Sequence, residues 1–234
     1  MRKNKMMRLA SALLVAVLLT TCAISGTFAK YVTEGTSTDT ARVAKWGVTI
    51  TAANKMFADA YKDAEATWTA DENVDTITVQ AKTAGTKVVA PGTQGEFVDF
   101  TVAGSPEVDV QVTYTANLSL TNWTAGGEYC PIVFTVNSET YSLKDMGGTN
   151  ESDTIAELET AIETAIINSA KKYHTNQNLS AVATDLNVSW AWAFETGADD
   201  AAKAANNVKD TALGNAATAP EISLTVGVTI TQVD

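Results

Sequence analysis

Histidine, cysteine and proline are scarce: the 234 residues of this chain include one histidine, two cysteines and four prolines. The single histidine, His174, excludes an H-E-x-x-H motif and any zinc site built from several histidines. Cys22 lies in the apolar N-terminal region, so Cys130 has no partner for a disulfide within the rest of the chain. We expect Cys130 to be a buried thiol, with pairing between molecules as the alternative. The G-x-S-x-G, phosphate-loop and G-x-G-x-x-G patterns are also missing.

Basic residues are few in the part of the chain that follows Ala29. That part holds all 27 acidic residues but only 12 of the 16 basic ones, which gives it a net charge of −15. Nucleic acids and anionic lipid surfaces are bound by basic surfaces, so this charge argues against both partners. It suits solubility outside the cell, or packed copies whose repulsion is screened by divalent cations.

No apolar run is long enough for an ordinary transmembrane helix. The longest, Leu9–Ile24, has 16 residues, whereas a bilayer span needs about 20. A basic stretch precedes this run and the small residues of Ser25–Ala29 follow it, which is the order of a secretory signal peptide. We expect signal peptidase to cleave between Ala29 and Lys30, leaving a secreted protein with no permanent membrane insertion. An uncleaved anchor and lipidation at Cys22 are the alternatives.

Apolar and polar residues alternate with period two in three long segments, Val108–Leu120, Leu186–Phe194 and Ile222–Ile230. This period predicts strands with one buried and one solvated face. Such strands are typical of antiparallel sheets, since strands of parallel sheets tend to be apolar throughout. The pattern therefore predicts a mainly β fold, an antiparallel β-sandwich. Shorter strand candidates are Trp46–Thr51, Thr76–Ala81, Glu96–Ala103 and Ile132–Asn137.

Two segments interrupt the β pattern with helical spacing, one long and one short. Residues 154–173 place apolar side chains at helical spacing and begin with Thr154 and Glu157, which fit a capping box. Two lysines would stand in the last turn of this helix, where the dipole favours cations. The shorter helical insertion is predicted over Ala198–Val208.

Carboxylates are the candidate ligands for a cofactor. Asp199, Asp200 and Asp210 could contribute oxygen ligands to a calcium site, and no other cofactor is expected. The same residues also suit the first turn and the cap of the shorter helix. Glu159 and Glu163 are expected on the solvent face of the longer helix.

Tryptophans offer a second candidate site. Trp190 and Trp192 lie two residues apart on one strand and therefore face the same way. They could form a platform on which a sugar stacks. Because apolar residues including Phe194 continue the same face, we expect all three side chains to belong to the core.

Several short motifs together resemble the TasA/camelysin group of secreted bacterial proteins, which are exported by a signal peptidase of the SipW type. The resemblance spans most of the chain from Gly26 onwards, whereas the helix over 154–173 matches none of the family motifs. The motifs are Gly26-Thr27-Phe28-Ala29, Trp46-Gly47-Val48-Thr49-Ile50, Pro91-Gly92 ahead of a strand at Phe97, Trp190-Ala191-Trp192-Ala193-Phe194-Glu195, Asp210-Thr211-Ala212-Leu213-Gly214 and Thr229-Ile230-Thr231-Gln232.

The resemblance implies a jelly-roll domain and a role as a subunit of extracellular matrix fibres. In such fibres the segment released by signal cleavage becomes a donor strand for the sheet of the next subunit, which is β-augmentation. The expected organisation is a signal peptide over 1–29, a donor segment over 30–44 and a jelly-roll-like β-sandwich over 45–234. The residues expected to act in strand donation are Tyr31, Val32, Thr33 and Val43. The alternative is that this segment is a frayed N-terminus ahead of the first strand.

The resulting hypothesis is a structural subunit of an extracellular or biofilm-matrix fibre, polymerising head to tail, with no enzymatic activity. Its expected partners are further copies of itself, the signal peptidase and a minor fibre-anchoring protein. The expected location is the extracellular matrix or surface of a bacterium. One alternative is a secreted jelly-roll binding module for glycan, protein or calcium, with Trp123, Trp190 or Trp192 in its site. Another is a hydrolase that uses two carboxylates. The metalloprotease activity described for camelysin is not expected here.

Overall fold

The computed structural model describes residues 7, 10–16, 41–52, 56–62, 78–97, 100–182 and 186–233. The chain divides into two compact units, Met1–Arg42 and Val43–Asp234. In the first unit, residues 10–16 form a helix, α1. Within the ranges given above, no helix has the length and apolar character needed to cross a membrane.

The second unit is mainly β. Its largest sheet has the order β4-β11-β7-β8-β9, a second sheet has the order β10-β6-β12, and β1-β5 and β2-β3 form two-stranded sheets. All pairs are antiparallel except β8 with β9. In chain order the elements are β1 (Val48–Ala52), β2 (Ala60–Lys62), β3 (Thr78–Gln80), β4 (Gln94–Phe97), β5 (Phe100–Gly104), β6 (Val110–Thr121), β7 (Ile132–Val136), β8 (Glu139–Leu143), β9 (Asn150–Ser152), α2 (Ile155–Ile167), β10 (Lys171–Tyr173), α3 (Leu179–Val182), β11 (Val188–Trp192), α4 (Asp200–Gly214) and β12 (Glu221–Gln232).

The core lies between the five-stranded and three-stranded sheets, which gives a sandwich-like arrangement. Alternate residues of β6, β7 and β11 are buried, as the period-two pattern predicts. The indoles of Trp123, just after β6, and Trp192, in β11, meet edge to face with ring centroids 5.7 Å apart. The mainly β, antiparallel prediction is therefore confirmed.

Helix α2 packs against β6, β7, β8 and β9 and buries Leu158, Ile162 and Ile166. Its capping box is present: Thr154 Oγ1 accepts from Glu157 N, and the Glu157 carboxylate accepts from Thr154 N.

The predicted end of this helix is wrong, because α2 ends at Ile167 and Lys171–Tyr173 form strand β10. Asn168 caps the helix, with its N–H donating to Thr164 O. The next residues pair with Val110–Val112 of β6, so ladder hydrogen bonds replace the further helical turns. The two lysines consequently lie on a strand rather than in the last turn of a helix.

Two further boundaries differ from the sequence prediction. The strand expected over Glu96–Ala103 is two strands, β4 and β5, which belong to different sheets. The shorter helix, α4, begins and ends later than predicted, because Asp199 is its N-cap and the helix continues to Gly214. The extra turn is anchored by Leu213, which is buried.

Candidate functional site

Strand β12 forms one edge of the three-stranded sheet. It pairs with β6 along its whole length, from Glu221 opposite Thr121 to Gln232 opposite Val110. Among the described residues, no strand pairs with its other side. We call this side, from Glu221 to Gln232, the bare edge. An edge of this kind presents N–H and C=O groups to which another chain can pair.

The bare edge lacks the features that usually prevent strand addition. Natural edge strands are protected by charges, proline, bulges or short length. β12 has 12 residues, and its only charged residue is Glu221 at the first position. It contains no proline and keeps an unbroken register with β6.

The inward face of β12 is incompletely covered. Ile222, Leu224, Val228 and Ile230 pack against the core but are only partly buried, although they alternate correctly for a buried face. The central strand β6 differs, since its Val110 and Val112 are fully buried. An added strand would cover the exposed apolar surface, a change that stabilises by about 25 cal/mol per Å² removed from water.

The opposite side of β6 is covered, in contrast to β12. Strand β10 pairs with its first residues, Val110–Val112, and two carboxylates of α2 accept hydrogen bonds from backbone N–H groups near its end. Glu163 Oε1 accepts from Leu118 N at 2.8 Å, and Glu159 Oε1 accepts from Leu120 N at 2.6 Å. The expectation that both glutamates face solvent is therefore wrong, because they satisfy backbone donors that a neighbouring strand would otherwise bind.

A cleft of about 720 Å³ opens at the start of β12. Its lining is mixed, with apolar side chains from several parts of the fold and hydroxyl groups from β6 and β12. Ile222 and Ser223 bring the cleft directly to the bare edge. The other apolar side chains in its lining are Phe57, Val88, Val89, Trp123, Trp192, Leu213, Ala219 and Pro220.

The described chain leaves the sandwich at Lys45. Lys45 N donates to Glu107 Oε2 at 2.8 Å, and Glu107 N donates to Lys45 O at 2.9 Å. Before this contact, Val43 is 91% exposed. The other residues predicted for signal cleavage and strand donation lie outside the described ranges: Ala29, Lys30, Tyr31, Val32 and Thr33.

The calcium candidates are not brought together. Asp199 caps α4, with its Oδ1 accepting from Ala202 N at 2.8 Å, and Asp200 stands exposed in the first turn. Asp210 lies ten residues after Asp200 on the same helix, a separation of about 15 Å at 1.5 Å per residue. Within the described part of the chain, no group of three His, Cys, Asp or Glu side chains is placed to hold a metal ion.

Asp210 instead fixes α4 to the sandwich. Its Oδ1 accepts from the Tyr129 hydroxyl at 2.7 Å, and Lys209 Nζ lies 4.9 Å from the centre of the same ring. Burial raises the pKa of Asp210, although the Tyr129 hydroxyl and the Trp192 indole N–H oppose that shift. The Trp192 Nε1 atom itself is buried and makes no hydrogen bond of normal length within the described structure.

The other tryptophans and Cys130 belong to the core. Trp123 and Trp190 are each 1% exposed, and their indole N–H groups donate to Glu221 O and Met56 O. Neither offers a face for sugar stacking. Phe194, expected in the core, follows the end of β11 and is 52% exposed. Burial raises the pKa of Cys130 to about 12, which makes its thiol unreactive.

No family model matches the chain, and the comparisons with curated proteins and with solved structures found no match either. The geometry of β12 and its cleft therefore carries the functional argument. The period-two pattern predicts β12 as a strand, but a pattern within one segment does not indicate which strand lies at an edge.

Proposed function

We propose that the protein is a secreted structural subunit of an extracellular fibre. The N-terminal segment of one copy, Lys30–Val43, adds as a strand to the bare edge of β12 in the next copy. Because donor and acceptor are different surfaces of the same chain, the contact is heterologous and extends into an open filament. The fibre is thus a homopolymer that grows head to tail.

The observation that carries this proposal is the bare edge itself. Twelve residues of β12 present a nearly uncharged edge, and four of the five apolar side chains on its inward face are only partly buried, the exception being Val226. Backbone pairing supplies affinity in strand addition, and covered side chains supply specificity. β12 offers both. In contrast, the side of β6 that faces away from β12 already pairs with β10 and with the glutamates of α2.

The donor end is supported by chain length and by the contact at Lys45. The segment Lys30–Val43 has 14 residues, which reach about 46 Å when extended at 3.3 Å per residue. The 12 residues of β12 span about 40 Å on the same scale. The hydrogen bonds between Lys45 and Glu107 hold the chain where the donor segment begins.

The proposal also covers family, topology and role. We propose that the protein belongs to the TasA/camelysin group, has a jelly-roll topology and plays a structural rather than an enzymatic role. The same proposal comprises cleavage after Ala29, residence in a bacterial matrix or on the cell surface, and attachment through a minor anchoring protein. The short motifs and the sandwich-like, mainly β fold are consistent with these points.

Electron microscopy of purified chains tests the proposal. We expect a chain that starts at Lys30 to form fibres, and a chain that starts at Ala44 to stay monomeric because it lacks the donor. The shorter chain retains both residues of the hydrogen bonds between Lys45 and Glu107. A second variant keeps the full length of the mature chain but carries Tyr31→Ser and Val32→Ser. We expect it to assemble poorly, because the donor segment is present but has lost its apolar anchors.

Fibres from both chains would overturn strand donation by this segment while leaving a fibre role. Absence of fibres from both, across acidic pH and added calcium, would overturn the fibre role and leave the secreted binding module. Circular dichroism of the Ala44 chain checks that a negative result does not come from unfolding.

A further inference from the structure

We propose that the cleft at the start of β12 is the anchor site for Tyr31 of the neighbouring copy, and that the donated segment consequently runs parallel to β12. This inference rests on the proposed strand donation. It adds a defined pocket, a register and a direction to that assembly.

The cleft has room for a large aromatic side chain. Its volume of about 720 Å³ lies within the range of about 300–1,000 Å³ found for pockets that bind ligands. Phe57 is only partly buried and lines it with aromatic surface, against which a further ring can pack edge to face. Ser119 and Ser223 add hydroxyl groups that can pair with a phenolic hydroxyl, which favours tyrosine as the occupant.

Tyr31 is the one aromatic residue of the donor segment. The remaining apolar residues of Lys30–Val43 are Val32, Ala41 and Val43, which are all smaller. Tyr31 is therefore the residue of this segment best suited to a cleft that is partly lined by an aromatic side chain.

The position of the cleft determines the direction of the donor. Tyr31 lies near the start of its segment, and the cleft lies at the start of β12. With Tyr31 beside Ile222, the donor runs parallel to β12 and Ala41 reaches Gln232. Arg42–Ala44 then lead to the hydrogen bonds at Lys45 in the donor's own copy. A donor in the opposite direction would place Tyr31 at the far end of β12, away from the cleft.

Disulfide trapping in the mature chain, from Lys30 to Asp234, tests the direction. Val32→Cys combined with Ser223→Cys is expected to give a ladder of covalent oligomers on a non-reducing gel. Val32→Cys combined with Thr231→Cys, at the other end of the bare edge, is expected to give none. Cys130 has no exposed surface and stays out of the reaction.

Variants of the cleft and of its occupant test the pocket. Thr86 is exposed and lines the cleft, so Thr86→Trp should fill it without disturbing the core. Thr83→Trp, on a nearby exposed residue outside the lining, is the matched control. We expect Thr86→Trp and Tyr31→Ala to raise the critical concentration of assembly at least tenfold. Thr83→Trp and Tyr31→Phe should change it less than threefold.

The outcomes distinguish failure of the anchor site from failure of strand donation. A ladder from the Thr231 pair, or normal assembly of Tyr31→Ala and Thr86→Trp, would overturn the anchor site while fibre formation stands. If the unsubstituted mature chain forms no fibres, strand donation fails and the anchor site fails with it.

Discussion

Two glutamates of α2 accept hydrogen bonds from β6 that a neighbouring strand would otherwise accept. Glu159 and Glu163 accept hydrogen bonds from Leu120 N and Leu118 N, which point away from β12 and would otherwise need another partner. A buried donor without an acceptor costs about 1–3 kcal/mol. These side chains therefore occupy the side of β6 that faces away from β12, whereas the outer side of β12 pairs with no described strand.

Replacing both glutamates with alanine should lower the free energy of unfolding by about 2–5 kcal/mol, because two amides lose their acceptors. Glu159→Gln with Glu163→Gln is the matched control, since an amide oxygen still accepts, and should cost about half as much or less. Urea unfolding measures the difference, and hydrogen exchange at Leu118 and Leu120 locates it. Equal stability of the alanine and glutamine variants would show that these contacts contribute little.

Asp210 should make the docking of α4 depend on pH. Burial raises its pKa above the ordinary value of 3.8, so the folded state binds its proton more tightly than the unfolded state does. Its contribution to stability is therefore greatest in acid and is lost as the pH rises through the folded pKa. The groups that face this side chain are the Tyr129 hydroxyl, whose own pKa is raised by burial and by Asp210, and the Trp192 indole N–H. Lys209 lies over the Tyr129 ring.

Asp210→Asn keeps an acceptor for the Tyr129 hydroxyl but removes the titration. Between pH 4 and 7, we expect the free energy of unfolding of the unsubstituted chain to fall relative to that of the variant, because the folded state holds the Asp210 proton more tightly than the unfolded state does. Chemical unfolding of both proteins at matched pH values gives this difference. If the difference in unfolding free energy between the two proteins stays constant with pH, or changes in the opposite direction, the pKa of Asp210 is not raised by folding.

At the scale of elements, β12 differs from β6 in what surrounds it rather than in its pattern. Both strands alternate with period two, and both are predicted from that alternation. Their difference arises from α2 and β10, which lie on one side of β6 and are distant from it in sequence. Such tertiary neighbours are not encoded in a local pattern, so the bare edge could not be identified from the sequence.

The misplaced end of α2 has a similar origin. Tyr173 continues the helical spacing, but it is buried as part of β10, opposite Val110. A local period cannot distinguish a further helical turn from a short strand, since three residues fit both. The capping box at Thr154, which depends only on neighbours in sequence, is predicted correctly.

Lysines on the exposed face of β12 should hinder assembly. Thr225→Lys with Thr229→Lys adds charge to an edge that has almost none, which natural proteins use to prevent strand addition. We expect the critical concentration of assembly to rise about fivefold or more and the thermal unfolding midpoint to change little. Ala217→Lys with Thr218→Lys, on exposed residues ahead of the strand, adds the same charge as a control. Equal effects from both pairs would attribute the change to net charge instead.

At the scale of the whole molecule, the net charge opposes packing of copies. The chain from Lys30 carries 27 acidic and 12 basic residues, so neighbouring subunits repel one another at neutral pH and low salt. Acidic pH, at which the carboxylates become protonated, or divalent cations should therefore accelerate assembly in low salt. Light scattering measures the rate, and faster assembly in EDTA at neutral pH and low salt would contradict this expectation.

Hydrogen exchange on assembled fibres tests strand donation at β12 most directly. The mature chain is labelled as a monomer and as fibres, and the exchange of peptides covering β12 is compared with that of peptides covering β9, an edge of the other sheet. We predict that amides between Ile222 and Gln232 exchange at least tenfold more slowly in fibres, whereas those of Asn150–Ser152 change little. Unchanged exchange along β12 in well-formed fibres would contradict the account, because subunits would then be joined through another surface.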